Sequence, residues 1–188
     1  NASARGLAAN TTGTIALVFP KLSGPFFSEM IRGAELEASD SAYHLLIYGA
    51  SGATLGTDNP TLGMLTTKVD GLILAIPGVS RCYIRDLQRQ DLPVVMLGED
   101  PANTQVHAIQ PDNVGGAKKA VTHLSEHGYR RIAMISGPET RAHAGDREQG
   151  YRKALRDHAM PYDPGRVSTG AFDESSGYTA MQDLLKQS

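Results

Sequence analysis

Arg141, His143, Asp146 and Arg147 stand close together in the stretch GPETRAHAGDREQGYRKAL, residues 137–155. Two guanidiniums near a helix N-terminus suit an oxyanion, a carboxylate or a polyhydroxylated ligand, because helix N–H groups and the dipole reinforce forked cationic donors. The same spacing also suits a solvated helix start in which Arg147 balances Asp146 or Glu148. A second group is Leu22-Ser23-Gly24-Pro25-Phe26-Phe27. Two adjacent aromatics at a helix start cannot both face one core at a period of 3.6. Either one points into the crevice at the strand ends, or a bent entry lets both pack inside. Phe172, in Gly170-Ala171-Phe172-Asp173, follows a short strand in the same topological place. Aromatic faces beside Arg forks are how a small sugar or base is held.

These residues need strand ends to carry them. Ile132-Ala133-Met134-Ile135-Ser136 reads as a buried parallel strand, ended by Gly137-Pro138, with a helix beginning within 142–145 and showing Tyr151, Ala154 and Leu155 to the core. In open α/β sheets, ligands bind at the carboxyl ends of the strands. Upstream, Thr14–Phe19, Tyr43–Tyr48, Val69–Ala75 and Leu92–Leu97 read as buried strands, and Val106–Ile109 as a short edge strand. The helix after Phe27 carries Met30, Ile31, Ala34 and Leu36. Others run from Pro60 to about Thr67 and from Ser80 to Gln90, the latter with Cys82, Tyr83, Ile84 and Leu87. After Pro111-Asp112-Asn113 come a helix 114–127 with Ala117, Ala120, Val121 and Leu124 on its face, the strand and helix already named, a turn at 161–165, a strand 166–169 and a helix 175–186. The alternation predicts an α/β protein of two doubly wound parallel-sheet lobes. The first is expected over 13–111. The second, over 112–188, has only two strands and is expected to be incomplete, with the natural chain continuing past Ser188.

The chain has 188 residues, a formal net charge of −2, 40% hydrophobic and 20% charged residues. That is an ordinary globular composition without a broad basic face for nucleic acid. One cysteine, Cys82, rules out an intrachain disulfide, and its place on an apolar helix face predicts core. No stretch approaches a membrane span, and the first residues lack a signal-peptide core and an initiator Met, so the chain is expected to start inside a longer protein. The motifs GxSxG, GxxxxGK[ST], GxGxxG after a strand and HExxH are missing, which argues against an enzyme and against a cofactor. His123 and His127 share a helix face but have no third ligand nearby, so helix surface is expected rather than a metal site.

In order and spacing, NASARGLAAN, TGTIALVFP, SGPFFSEMIRGAE, KVDGLILA, LPVVML, PDNVGGAKKAVTHLSEHGYRRIAMISGP, REQGYRKAL and FDESSGYTAM resemble the effector-binding region of LacI/GalR-type (lac-repressor-like) transcription regulators over the whole chain. The resemblance implies a periplasmic-binding-protein-like fold of two lobes. Residues 1–12 would be a hinge helix and linker to a helix-turn-helix absent from this chain, with Ala4, Arg5 and Leu7 at the DNA and Leu7 in the minor-groove-inserting position. Leu22, Ser23, Phe26 and Phe27 would line the effector pocket after the first strand. Arg147 would contact the effector, Arg141 and His143 would line the pocket as in the purine-repressor branch, and Phe172 would stack on the ligand ring. The family's remaining pocket residues, an Asn and an Asp, would lie past Ser188. Gly98 and Gly24 depart from residues common in the family, Asp and Asn respectively, which weakens a sugar assignment.

The function this implies is a cytoplasmic, nucleoid-associated repressor. A sugar, nucleoside or purine in the cleft would switch operator affinity by shifting the population of lobe arrangements. A homodimer through the first lobe is expected, because the helices carrying Met30–Leu36 and Cys82–Leu87 have apolar residues beyond one stripe. The rival is a periplasmic sugar-binding protein of a transport system, against which the hinge-like start counts.

Overall fold

A computed structural model describes residues 11–19, 25–50, 60–76, 79–98 and 105–186. The chain divides into two compact units, Asn1–Gln110 and Pro111–Ser188.

The first unit is built on β1 (Thr14–Phe19), β2 (His44–Gly49), β3 (Gly71–Leu74), β4 (Val94–Leu97) and β5 (His107–Ile109). They form one parallel sheet in the order β2-β1-β3-β4-β5. Helices α1 (Pro25–Asp40), α2 (Pro60–Thr66) and α3 (Arg81–Arg89) supply connections between successive strands. Parallel strands covered on both faces read as continuous apolar runs. β1 does so because it lies inside the sheet, with Ala16, Leu17, Val18 and Phe19 all buried. Leu72, Leu74, Ile84, Leu87 and Met96 complete the core. Ser80 starts α3 by accepting the Tyr83 N–H at 3.1 Å. β1 is anchored at its entry. Asp70, just before β3, accepts the N–H and hydroxyl of Thr12 at 2.7 and 2.9 Å and the N–H of Gly13 at 2.8 Å.

β2, expected to be buried, is an edge strand with Leu46 and Ile47 exposed, because among the described residues it pairs with β1 alone. Cys82 is exposed rather than core, since the α3 face turned inward is Tyr83, Ile84 and Leu87. Those three are therefore intrachain core and not spare apolar surface. On α1, by contrast, Leu36 is 57% exposed.

In the second unit, β6 (Met134–Ser136) and β7 (Val167–Thr169) pair in parallel. Helices α4 (Asn113–Glu126), α5 (Ala142–Asp157) and α6 (Glu174–Lys186) surround them, and a short 3-10 turn, Pro164–Arg166, precedes β7. Tyr151, Ala154 and Leu155 face inward as predicted, against Val121, Ile132 and Met160. The buried Tyr151 hydroxyl donates to the Ile132 carbonyl at 2.9 Å. β6 is only partly covered, and Ile135 is 41% exposed. The α4 face is also rotated from expectation. Leu124 is exposed and Ser125 is buried, where its hydroxyl accepts from Arg130 Nη1 at 2.9 Å.

Candidate functional site

The second unit brings Arg147, His143 and Phe172 together. α5 starts at Ala142, so His143 stands in its first turn and Arg147 just after it, while Phe172 follows β7. The His143 and Phe172 rings lie 5.2 Å apart, tilted by 33°. The Arg147 guanidinium carbon is 5.9 Å from the Phe172 ring centroid, within cation–π range. Arg147 Nε donates to Asn113 Oδ1 at 2.8 Å. Neither charge pairing suggested by the local spacing forms: Glu148 instead holds Arg152 at 2.6 Å, and Arg147 reaches to another helix.

Phe172 is held out on purpose-built backbone. Its φ of +62° is left-handed, a conformation costly for a side chain with a Cβ. The residue is 54% exposed, and its ring lies over Gly137, where a Cβ would collide with it. A strained residue presenting a half-open aromatic face next to a guanidinium is a stacking surface with a hydrogen-bonding edge. Arg141 is the residue before α5, half-buried and without a side-chain cap bond. Asp146 is exposed.

In the first unit, Phe27 packs edge-on against the buried Phe19 at 5.3 Å. Phe26 rests edge-on against Phe27 at 5.4 Å and is 63% exposed. Of the two alternatives, the adjacent aromatics thus divide, one inward and one outward. Leu22 and Ser23 lie outside the described residues, as do Ala4, Arg5 and Leu7. The His123 and His127 rings are 4.2 Å apart, with His127 Nδ1 against the His123 carbonyl at 2.8 Å. Among the described residues no group of three or more His, Cys, Asp or Glu could hold a metal ion.

A groove of about 480 Å³ runs along α5, lined by Gly145, Glu148, Gln149, Arg152, Lys153 and Arg156. It is a shallow, charged face of one helix and contains none of the clustered residues, so it is a poor home for a ring-shaped ligand. The residue that sequence reading missed is Asn113. Nothing in local spacing marks it, because its partner lies 34 positions away.

Residues 12–188 match the family described as periplasmic binding proteins and sugar binding domain of LacI family. The HTH-type transcriptional repressor CytR of Escherichia coli (strain K12) is 34% identical over 182 residues, covering 96% of this chain and 53% of CytR. The ribose operon repressor of the same strain is 30% identical over 186 residues, covering 98% and 56%. The solved transcriptional regulator CelR–cellobiose complex aligns with a TM-score of 0.78 and 32% identity, over 94% of this chain and 56% of that one. The chain spans about half the length of the curated relatives it matches. On that match and on the two-unit parallel architecture, the chain belongs to the family of periplasmic binding proteins and LacI-type sugar binding domains.

Proposed function

We propose that this chain is the effector-binding region of a DNA-binding transcription regulator of the repressor type, and that a small ring-shaped molecule of the sugar, nucleoside or purine class switches its operator affinity. The observation that carries the reading is the Arg147–His143–Phe172 cluster in a member of this family. Phe172 would stack on the ligand ring, Arg147 would donate to its oxygens and His143 would close one side. Support for repression rather than transport comes from the relatives, which are named as repressors. The reading is of a binding protein and not of an enzyme. Arg141, Phe26, Phe27, Leu22 and Ser23 remain assigned to the pocket by family position, and Ala4, Arg5 and Leu7 to the DNA-facing hinge.

The proposed site of action is the cytoplasm, at operator DNA. No described helix is long and apolar enough to cross a membrane. The proposed dimer surface narrows to α1 and the β2 edge of the sheet, with Leu36 exposed on α1, Tyr43 just before β2, and Leu46 and Ile47 on β2. The apolar residues of α3 no longer contribute to it.

The test is a thermal-shift screen of the full-length protein against D-ribose, cellobiose, adenosine and purine bases. A ligand that binds only the folded protein, at about one hundred times its Kd, stabilises by about 2.7 kcal/mol, so a rise of several degrees is expected for at least one class. No shift from any of them would refute the effector class.

A further inference from the structure

Asn113 opens α4, and its amide is held at both ends. Its Nδ2 donates to the Pro111 carbonyl at 3.3 Å, and its Oδ1 accepts from Arg147 Nε at 2.8 Å. The Asn113 backbone N–H donates to the same Pro111 carbonyl at 2.8 Å. These partners fix the amide in one orientation, because a flipped amide would set N–H against N–H and oxygen against oxygen. Asn113 reaches Arg147 because α4 and α5 approach closely one turn further along α5. There a Cβ on Gly150 would strike the Val114 carbonyl and the Ala117 methyl. The guanidinium is therefore held at one edge by an uncharged acceptor and flanked on one side by Phe172. None of the ion pairs among the described residues involves Arg147, so its charge is not cancelled there.

We infer that Asn113 is the positioning residue of the effector site: it occupies Arg147 Nε and leaves the terminal Nη1/Nη2 edge for the ligand, so the site selects a ring carrying two adjacent oxygens that meet that edge end-on. The inference rests on the effector-binding reading above. A guanidinium can take a pair of oxygens side-on, through Nε and one Nη, or end-on, through both Nη groups. Asn113 closes the first mode. A vicinal diol on a furanose or pyranose, with one ring face on Phe172, fits the second. An isolated hydroxyl does not use it fully.

The test combines a double-mutant cycle with a measurement that needs no ligand, in the full-length protein. D-ribose, cellobiose and adenosine are the binding probes, and 2′,3′-dideoxyadenosine is the matched compound lacking the diol. Asn113→Ala should weaken the probe that binds by about tenfold, or 1.4 kcal/mol. The same change made in Arg147→Ala should cost nothing further, because the effect runs through Arg147. The Arg147 ¹⁵Nε–H resonance should exchange slowly in wild type and fast in Asn113→Ala. Where adenosine is the ligand, its dideoxy analogue should bind like adenosine does to Arg147→Ala. Multiplying losses in the double variant, or full affinity in Asn113→Ala, would overturn the positioning role. An Nε–H signal unchanged by Asn113→Ala would overturn the contact itself. If no probe binds wild type while Nε–H stays protected, the effector reading fails and the contact stands.

Discussion

In the first unit the sheet is the core. β1 and β3 lie between neighbours, and Leu17, Val18, Phe19, Leu72 and Leu74 are essentially inaccessible. In the second unit the sheet is a two-stranded ribbon with half-open residues. Its closed part is instead the α4–α5 pair and what those helices cover: Val121, Ile132, Tyr151, Ala154 and Leu155. Order in the first unit comes from burying strands on both faces. In the second it comes from helices brought close by a glycine and, through the Tyr151–Ile132 hydrogen bond, tied to the segment that leads into β6. The clustered ligand-type residues sit in the second kind of environment, around the start of α5, where a small change in helix spacing moves a guanidinium.

The contrast can be broken most directly in the cores. Leu17→Ala should cost about 2–5 kcal/mol, the range for a large-to-small change at a fully buried site. Ile135→Ala, at a 41% exposed position, should cost about 1 kcal/mol or less, since less area leaves water on folding. Denaturant unfolding of each variant measures both, and equal costs would mean the two sheets are not built differently.

Gly150→Ala comes next. The added methyl must push α4 away from α5, and overpacking of this kind costs about 1–3 kcal/mol. Hydrogen exchange should show faster opening at the starts of α4 and α5, with β1 and β3 unaffected. Faster exchange spread equally over the first unit would contradict the local origin.

The smallest expected effect sharpens the comparison at the chain's entry into β1. Desolvation pushes the Asp70 carboxyl up, but the hydrogen bonds it accepts, chiefly from Thr12 and Gly13, together outweigh this, so its pKa lies below the ordinary 3.8. A depressed folded-state pKa gives stability that is present above the unfolded value and lost as pH falls through the folded one. Asp70→Asn should therefore lower stability at pH 7 by about 1 kcal/mol, and the gap to wild type should close as pH falls below 3.8. Melting curves between pH 7 and 2.5 provide the check. A gap that stays constant with pH would remove Asp70's carboxylate from the clasp.

Much of the fold was legible because buried parallel strands announce themselves as apolar runs, as TIALVF and GLIL do. The same rule misled at HLLIYG, since an apolar run does not say whether a strand has one neighbour or two. Helix faces were legible where the inward stripe was wholly apolar, as at Tyr151, Ala154 and Leu155. They were misjudged where a polar residue took a core position, as Ser125 does with its Arg130 bond, or where a stripe was assumed one residue too wide, as at Cys82. For the site, family position pointed to Arg147, His143 and Phe172, and these do cluster. The split between Phe26 and Phe27 follows from helical geometry. Asn113 was not legible, because a hydrogen bond between two helix starts depends on how closely the helices approach, and sequence spacing along either helix is silent on that.

The most direct test of effector control through Arg147 is operator binding by the full-length wild-type and Arg147→Ala proteins, followed by fluorescence anisotropy as the ligand found in the thermal screen is added. Both should bind operator equally without ligand. Ligand should change wild-type affinity at least tenfold, about 1.4 kcal/mol of coupling, and leave the variant unresponsive at the same concentration. A variant that responds over the same ligand range as wild type would show that Arg147 does not hold the effector.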